Sequence, residues 1–237
     1  YAVDNGADVI NMSYGGYGRS VVEEDALALA FSQAVLVAAA GNDGRPNQFS
    51  CSGSPIFPAS YPWVVGVMSR VETMPPGFGL KSPFSNWDCI TENGIEYELM
   101  APGSAIWSTL PDGGYASWSG TSMAAPVVSG IAALARTNWP DKSSYSSRFI
   151  MGQIAITGEK LPGYKPPADY MRYYHNANAL EALTKTPKPE LGFEDYYIFD
   201  DVDEYTVNDD DGRVDAGEKI ELAIVIRNRW GRADNVT

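Results

Sequence analysis

The eighteen residues 121–138, TSMAAPVVSGIAALARTN, restrict the fold more than any other segment. They read as an Ala-rich helix that is small and apolar on every side. Such a helix has no polar face to turn to water, so it is expected to be buried. A buried helix needs layers of other structure around it, and the rest of the chain alternates between short apolar runs and helical patterns. Residues 35–39 (VLVAA) form a run consistent with a strand covered on both faces. Residues 63–68 form a second run, 9–12 another, and 97–100 and 106–110 are shorter candidates. Ser20 is placed to cap a helix over 20–33, with Glu23 at the capping-box spacing and Ala26, Leu27, Ala30 and Phe31 on one face. Residues 143–156 predict one more helix. Strands alternating with helices imply an α/β architecture with a mostly parallel sheet flanked by helices.

The pattern changes after Leu183. TKTPKPE (184–190) carries two prolines and alternating charge, and reads as a linker. Beyond it, acidic turns precede Ile220, Leu222, Ile224 and Ile226, which alternate with period 2 as in a half-exposed antiparallel strand. Residues 191–237 are therefore expected to begin a β-sandwich module, truncated here, and 1–183 to form the first domain. At the other end, Tyr1-Ala2-Val3 reads as the tail of a helix stopped by Asn5-Gly6. Both ends are thus expected to be cuts in a longer protein. A sheet lacking its N-terminal strands would leave open edges and apolar surface, so poor solubility in isolation is expected.

Composition removes several function classes. Seventeen Lys and Arg against thirty Asp and Glu give a formal charge of −13 and a pI near 4.4. That argues against a nucleic-acid partner, which needs a basic face to displace phosphate counterions. No run of apolar residues is long enough to span a membrane. Two cysteines cannot build a four-cysteine zinc site, an iron–sulfur cluster or a disulfide framework. A single histidine, His175, excludes a multi-histidine metal site.

Two stretches carry chemistry. In Ser119-Gly120-Thr121-Ser122-Met123-Ala124-Ala125-Pro126 a small-residue turn feeds straight into the helix. Ser122 there lies at a helix N-terminus, where unpaired N–H groups favour developing negative charge. Pro126 has no N–H, so the carbonyl of Ser122 loses its helical donor and the first turn is loosened. In Ala38-Ala39-Ala40-Gly41-Asn42-Asp43-Gly44 a buried strand ends on an asparagine, at the strand end where open α/β sheets place their sites. Asn42 offers a neutral donor that can be aimed at an oxyanion. Taken singly, a capped core helix and an Asn-Asp-Gly turn account for these stretches.

Taken together they do not. AAAGNDG (38–44), FPASYP (57–62), APGSAIWST (101–109) and SGTSMAAPVVSGIAAL (119–134) follow one another in an order that resembles the subtilisin-like serine proteases (subtilases, peptidase family S8) over residues 1–182. DNGADVINMSYGG (4–16), FSNWD (84–88) and NANAL (176–180) match weaker features of that family. The resemblance implies peptide-bond hydrolysis on protein or peptide substrates, with Ser122 as nucleophile and Asn42, joined by the N–H of Ser122, as the oxyanion donors. It implies that Ser13, Tyr14 and Gly15 face Ala39, Ala40 and Gly41 across the specificity pocket and pair with extended substrate as edge strands do. Tyr14 makes one wall aromatic. The family carries its triad in the order Asp, His, Ser, yet no histidine precedes Ser122. The chain therefore lacks the family's Asp and His and is expected to be inactive alone. Membership implies a secreted, extracellular or cell-surface protein.

Other readings stay open at this level. Ser122, Asp141 or Asp169, and His175 follow the order of an α/β-hydrolase esterase, although position 124 is Ala where the GxSxG elbow needs Gly. A pseudoprotease that only binds peptides is the non-enzymatic alternative. His175 reads as a surface or half-buried residue of the Tyr-rich loop YMRYYHN. Cys51 and Cys89 form either one disulfide, in keeping with secretion, or two separate thiols. The chemistry requires no cofactor. Structural calcium is common in subtilases, but NDDDGRVDAGE (208–218) places Ile220 where an EF-hand needs its bidentate Glu. No complete metal site is readable, and an acidic solvated turn is the expectation.

Overall fold

A computed structural model of the chain describes residues 1–46, 53–71, 80–88, 97–160, 175–187, 191–199 and 221–228. Cys51, Cys89, Asp169 and the acidic segment 208–218 lie outside the described residues. The chain divides into two compact units, Tyr1–Lys185 and Thr186–Thr237.

The first unit is built on a six-stranded sheet in the order β1-β2-β3-β4-β8-β7. Its strands are β1 (Val9–Met12), β2 (Val35–Ala39), β3 (Val64–Arg70), β4 (Leu99–Pro102), β7 (Glu159–Lys160) and β8 (His175–Asn176). Neighbours from β1 through β8 are parallel, and only β7 runs antiparallel, against β8. This is the expected α/β class. Strand alternation sorts the apolar residues to two faces. Val35, Val37, Val65, Val67 and Leu99 point to one side, where α2 (Thr121–Asn138), α3 (Ser147–Ile156) and α4 (Ala179–Thr184) pack. Leu36, Ala38, Val64, Met68 and Met100 point to the other, with Tyr61, Tyr97 and Leu27, Ala30 and Phe31 of α1 (Val21–Phe31). All five residues of β2 are buried because both faces are covered.

Local signals account for the element ends. Gly6 has φ +85°, the Gly6 N–H donates to the Val3 carbonyl (2.9 Å) and the Ala7 N–H to the Ala2 carbonyl (3.0 Å). This pair of bonds is the Schellman closure of a helical turn, as Asn5-Gly6 suggested. The Ser20 hydroxyl accepts from the Glu23 N–H at 3.3 Å and caps α1. Ala26 departs from expectation and is exposed. It lies roughly 90° around the helix from the middle of the Leu27, Ala30 and Phe31 stripe. Helix α3 starts at Ser147, later than the sequence pattern suggested. Residues 141–146 are instead drawn into a turn around Asp141, and Ser146 caps the helix by accepting from the Phe149 N–H.

Helix α2 has the expected bounds but not the expected burial. It lies across β1, β2, β3 and β4. It buries Thr121, Ala124, Ala125, Val128, Ile131, Ala132 and Ala135, whereas Val127 is 37% and Leu134 51% exposed. One sheet covers one side of a helix, and no described residue covers the other. The run 106–110 also lies elsewhere than in the main sheet. β5 (Ile106–Thr109) pairs antiparallel with β6 (Tyr115–Trp118) as a separate hairpin. In the second unit, β9 (Leu191–Phe199) and β10 (Glu221–Asn228) pair antiparallel. The antiparallel pairing is as the period-2 pattern suggested, but Leu222 and Ile224 of its apolar face are 50% and 56% exposed rather than covered. Among the described residues no helix is long and apolar enough to cross a membrane.

One close approach ties the sheet to the start of α2. The Gly120 N–H donates to the Gly103 carbonyl at 2.8 Å. A Cβ on Gly103 would stand 2.4 Å from Ser69 Oγ and 2.7 Å from the Gly120 carbonyl oxygen. Backbone cannot swing aside as a side chain can, so Gly103→Ala is expected to destabilise the chain by roughly 1–3 kcal/mol. Urea unfolding measures it, and an unchanged midpoint would refute the close packing.

Candidate active site

Ser122 is the second residue of α2, and Pro126 removes the donor that its carbonyl would otherwise meet in the next turn. The structure supplies a replacement. The Ser13 hydroxyl, just past β1, donates to the Ser122 carbonyl at 2.8 Å. The Ser122 hydroxyl in turn donates to the Ser13 carbonyl at 3.0 Å. Two serines 109 residues apart thus exchange main-chain and side-chain bonds. The first turn is not left loose: an outside hydroxyl fills the gap that the proline opens.

Asn42 follows β2 across the cleft. Its Oδ1 accepts from the Thr121 N–H at 2.8 Å and the Thr121 hydroxyl at 3.0 Å. Those two donors fix which end of the amide is oxygen and turn Nδ2 the other way. An ideal Cβ on Gly120 would lie 3.6 Å from Asn42 Nδ2, 3.7 Å from the Ser122 nitrogen and 3.6 Å from Met123 Sδ. Two N–H donors therefore border one small space above Gly120. As an N2 position, the Ser122 N–H has no acceptor within the helix.

An open cleft of about 840 Å³ lies over this space, lined by Ser13, Asn42, Ser117, Trp118, Ser119, Gly120, Ser122 and Met123. The structure thus brings together Ser122, Asn42 and Ser13. Tyr14, Gly15, Ala39, Ala40 and Gly41 border the site without lining the cleft. Gly15 sits against Ile56 and Phe57, with the Ala39 carbonyl 3.7 Å from its Cβ position. Ala39 and Ala40 are buried, and they can offer a ligand only main-chain groups. Tyr14 is 57% exposed. Partial burial, helped by the charge of Glu23, raises its phenol pKa above the usual value, so it stays neutral at physiological pH.

Sequence reasoning missed Thr121 as the residue that orients Asn42. It also missed Ser117 and Trp118, which reach the cleft only because β6 folds back on β5. Met123 and Ser119 were legible as neighbours of Ser122 in the motif. None of the eight lining residues is a His, Asp, Glu, Cys or Lys that could act as a base. His175 lies on β8, its Nδ1 3.1 Å from the Ala155 carbonyl oxygen, and does not line the cleft. Asp141 accepts from the Ser143 N–H and hydroxyl. Bonds from Ser143 and Ser144 hold its pKa down to about 2. The structure does not gather these two groups around Ser122. Among the described residues no cluster of three His, Cys, Asp or Glu could hold a metal ion.

Replacing Ser13 by Ala removes the one side-chain donor that reaches the part-buried Ser122 carbonyl among the described residues. A loss of about 1 kcal/mol is expected, the ordinary size for such a bond. A thermal melt reads it, and an unshifted midpoint would show that the carbonyl finds another donor.

The Subtilase family model matches residues 1–178. Subtilisin DY of Bacillus licheniformis is 38% identical over 156 residues, which cover 65% of this chain and 52% of that protein. Subtilisin E of Bacillus subtilis (strain 168) is 38% identical over 141 residues, 59% of this chain and 33% of that one. The chain therefore spans about half the length, or less, of these relatives. Among solved structures, fervidolysin from Fervidobacterium pennivorans, described as a keratinolytic enzyme related to subtilisin, is 27% identical with a TM-score of 0.61. That match covers 83% of this chain and 29% of fervidolysin. The prenylagaramide maturation protease PagA is 29% identical with a TM-score of 0.60, covering 77% of this chain and 63% of PagA. With its parallel sheet, its serine at the head of α2 and a family match over three quarters of its length, this chain belongs to the subtilase family.

Proposed function

We propose that this chain is the nucleophile-bearing part of a serine endopeptidase. The carrying observation is the convergence of Asn42 Nδ2 and the Ser122 N–H on the space above Gly120, beside the Ser122 hydroxyl. Ser122 Oγ attacks the scissile carbonyl carbon and its proton passes to a base. The carbonyl oxygen becomes an oxyanion in that space, held by the two N–H donors. Return of the proton to the amide nitrogen releases the amine and leaves an ester on Ser122. Water then attacks that ester by the same steps in reverse order.

The base is the part that these residues do not supply. No cleft-lining side chain accepts a proton at neutral pH, and in the resting arrangement the Ser122 proton rests on the Ser13 carbonyl. A carbonyl is too weak a base to activate a serine. The family's triad order supports a histidine and an aspartate contributed from outside these residues, and on this reading the chain alone is inactive. The substrate is protein or peptide backbone that pairs in extended form with the segments 13–15 and 39–41, which border the specificity pocket. No cofactor takes part in these steps, and the protein acts outside the cell or at its surface, in keeping with its strong acidity.

The full-length protein tests this. A fluorophosphonate probe is expected to label Ser122, located by mass spectrometry, and to leave the isolated chain unlabelled. Labelling of the isolated chain would mean that a base lies within it and would bring back the esterase reading with His175. No labelling of either would favour the peptide-binding pseudoprotease. Ser122→Ala is expected to abolish turnover of a peptide substrate while leaving folding nearly intact, since it gives up only the hydroxyl's bond to the Ser13 carbonyl. Asn42→Ala is expected to lower kcat by about 10²–10³ with little change in KM, the size known for removing one such donor in subtilisin rather than one derived from this geometry. A rise in KM at constant kcat would remove Asn42 from the oxyanion role.

A further inference from the structure

The loop that carries Asn42 is gripped by one buried side chain far away in sequence. Asn86 is 1% exposed. Its Oδ1 accepts from the Asp43 N–H and from the Arg45 N–H, both at 3.0 Å. The main-chain N–H of Asn86 donates to the Gly41 carbonyl at 2.9 Å. Asn86 therefore bonds residues 41, 43 and 45, on both sides of Asn42, while leaving Asn42 itself untouched. Neighbours strengthen the grip: the Gly44 N–H donates to the Phe84 carbonyl at 2.8 Å and the Trp87 N–H to the Arg45 carbonyl at 3.0 Å.

The grip is anchored to the sheet. The Ser85 hydroxyl donates to the Asn86 carbonyl at 2.8 Å and accepts from the Ser69 N–H of β3 at 2.9 Å. Ser69 and Ser85 are both fully buried. The fit around the side chain is close. A Cβ on Gly41, whose φ is +97°, would stand 2.5 Å from Asn86 Nδ2, so glycine is needed there for two separate reasons. Two N–H donors converging on one oxygen also fix the orientation of the amide, since the flipped form would set NH₂ against both. Deleting the side chain would leave the amides of Asp43 and Arg45 without their acceptor, and a loop that loses such bonds moves.

We propose that Asn86 is a positioning residue for the oxyanion donor, acting on the reaction only by holding the Gly41–Arg45 loop so that Asn42 Nδ2 stays aimed at the space above Gly120. This rests on the reading of Asn42 given above. It assigns the polar residue of FSNWD a part in transition-state geometry, and displacement of a donor by about 1 Å is enough to lower a rate about 10²-fold.

The test is a double-mutant cycle in the full-length protein, with Asn86→Ala and Asn42→Ala made singly and together. Asn86→Ala is expected to lower kcat by about 30-fold or more and leave KM within about threefold. In the Asn42→Ala background the same substitution is expected to change kcat by less than about threefold, because no aimed donor remains to be lost. Asn86→Asp, which keeps an acceptor for both amides, is expected to recover most of the kcat lost by Asn86→Ala. Asn86→Ser withdraws the acceptor more gently and carries the same reading should the alanine variant not fold. Equal losses in both backgrounds would overturn the proposal, as would a lower melting temperature with kcat untouched. Wild-type turnover and the loss on Asn42→Ala are measured first. Failure there refutes the peptidase reading, whereas additive losses with an active wild type refute only the role of Asn86.

Discussion

The bond between the carboxamide of Asn42 and Thr121 is the contact on which the site depends. It joins residues 79 apart in sequence, one at the end of β2 and one at the head of α2. The carboxamide has two different ends, and satisfying the oxygen with a main-chain and a side-chain donor leaves the nitrogen as the group presented to the cleft. Thr121 is buried, and its hydroxyl also accepts from the Gly41 N–H at 3.1 Å. The same threonine thus holds both the donor and the loop beneath it. A neutral donor held from behind needs no reorganisation when charge develops in front of it, which is the physical requirement for stabilising an oxyanion.

The sheet puts these pieces in reach of each other. β1, β2 and β3 are parallel neighbours, so their C-terminal ends lie side by side. Ser13 follows the first of these ends and Asn42 the second, while Ser69 is on the third strand. Helix α2 crosses the same strands and brings Ser122 to Ser13. Pro126 is a defect by the rules of helix formation. Here it frees a carbonyl for Ser13, so a local loss becomes a cross-link between the helix and the outer strand of the described sheet.

Much of this is legible in the sequence. The bounds of α2, the buried run of β2, the cap of α1 and the antiparallel pattern of the second unit follow from periodicity, capping chemistry and turn residues. Ser122 and Asn42 stand out because helix N-termini and strand C-termini are where main-chain groups are left unpaired. Other features were not legible. Ala26 and the outer side of α2 are exposed because burial depends on which layers are present and not on a residue's own hydrophobicity. The start of α3 was misjudged because the side chain of Asp141 competes for backbone N–H groups that a helix would otherwise use. Tyr115–Trp118 lacks an apolar run, and pairing with β5 makes it a strand.

By itself, the order of small residues around Ser122 and Asn42, set among alternating strands and helices, determined the family and the α/β class and singled out Ser122 and Asn42 among the residues that line the cleft. It also determined that no histidine within the chain precedes the serine. Only the tertiary structure decided that Thr121 orients Asn42, that Ser13 takes over the bond that Pro126 forbids, that Ser117 and Trp118 wall the cleft, and that Asn86 grips the loop from below. The physical reason is the range of the interactions. Capping, periodicity and proline act within one or two helical turns and are written in adjacent residues. A hydrogen bond across 41, 43 or 109 residues depends on where the sheet brings two chain segments together.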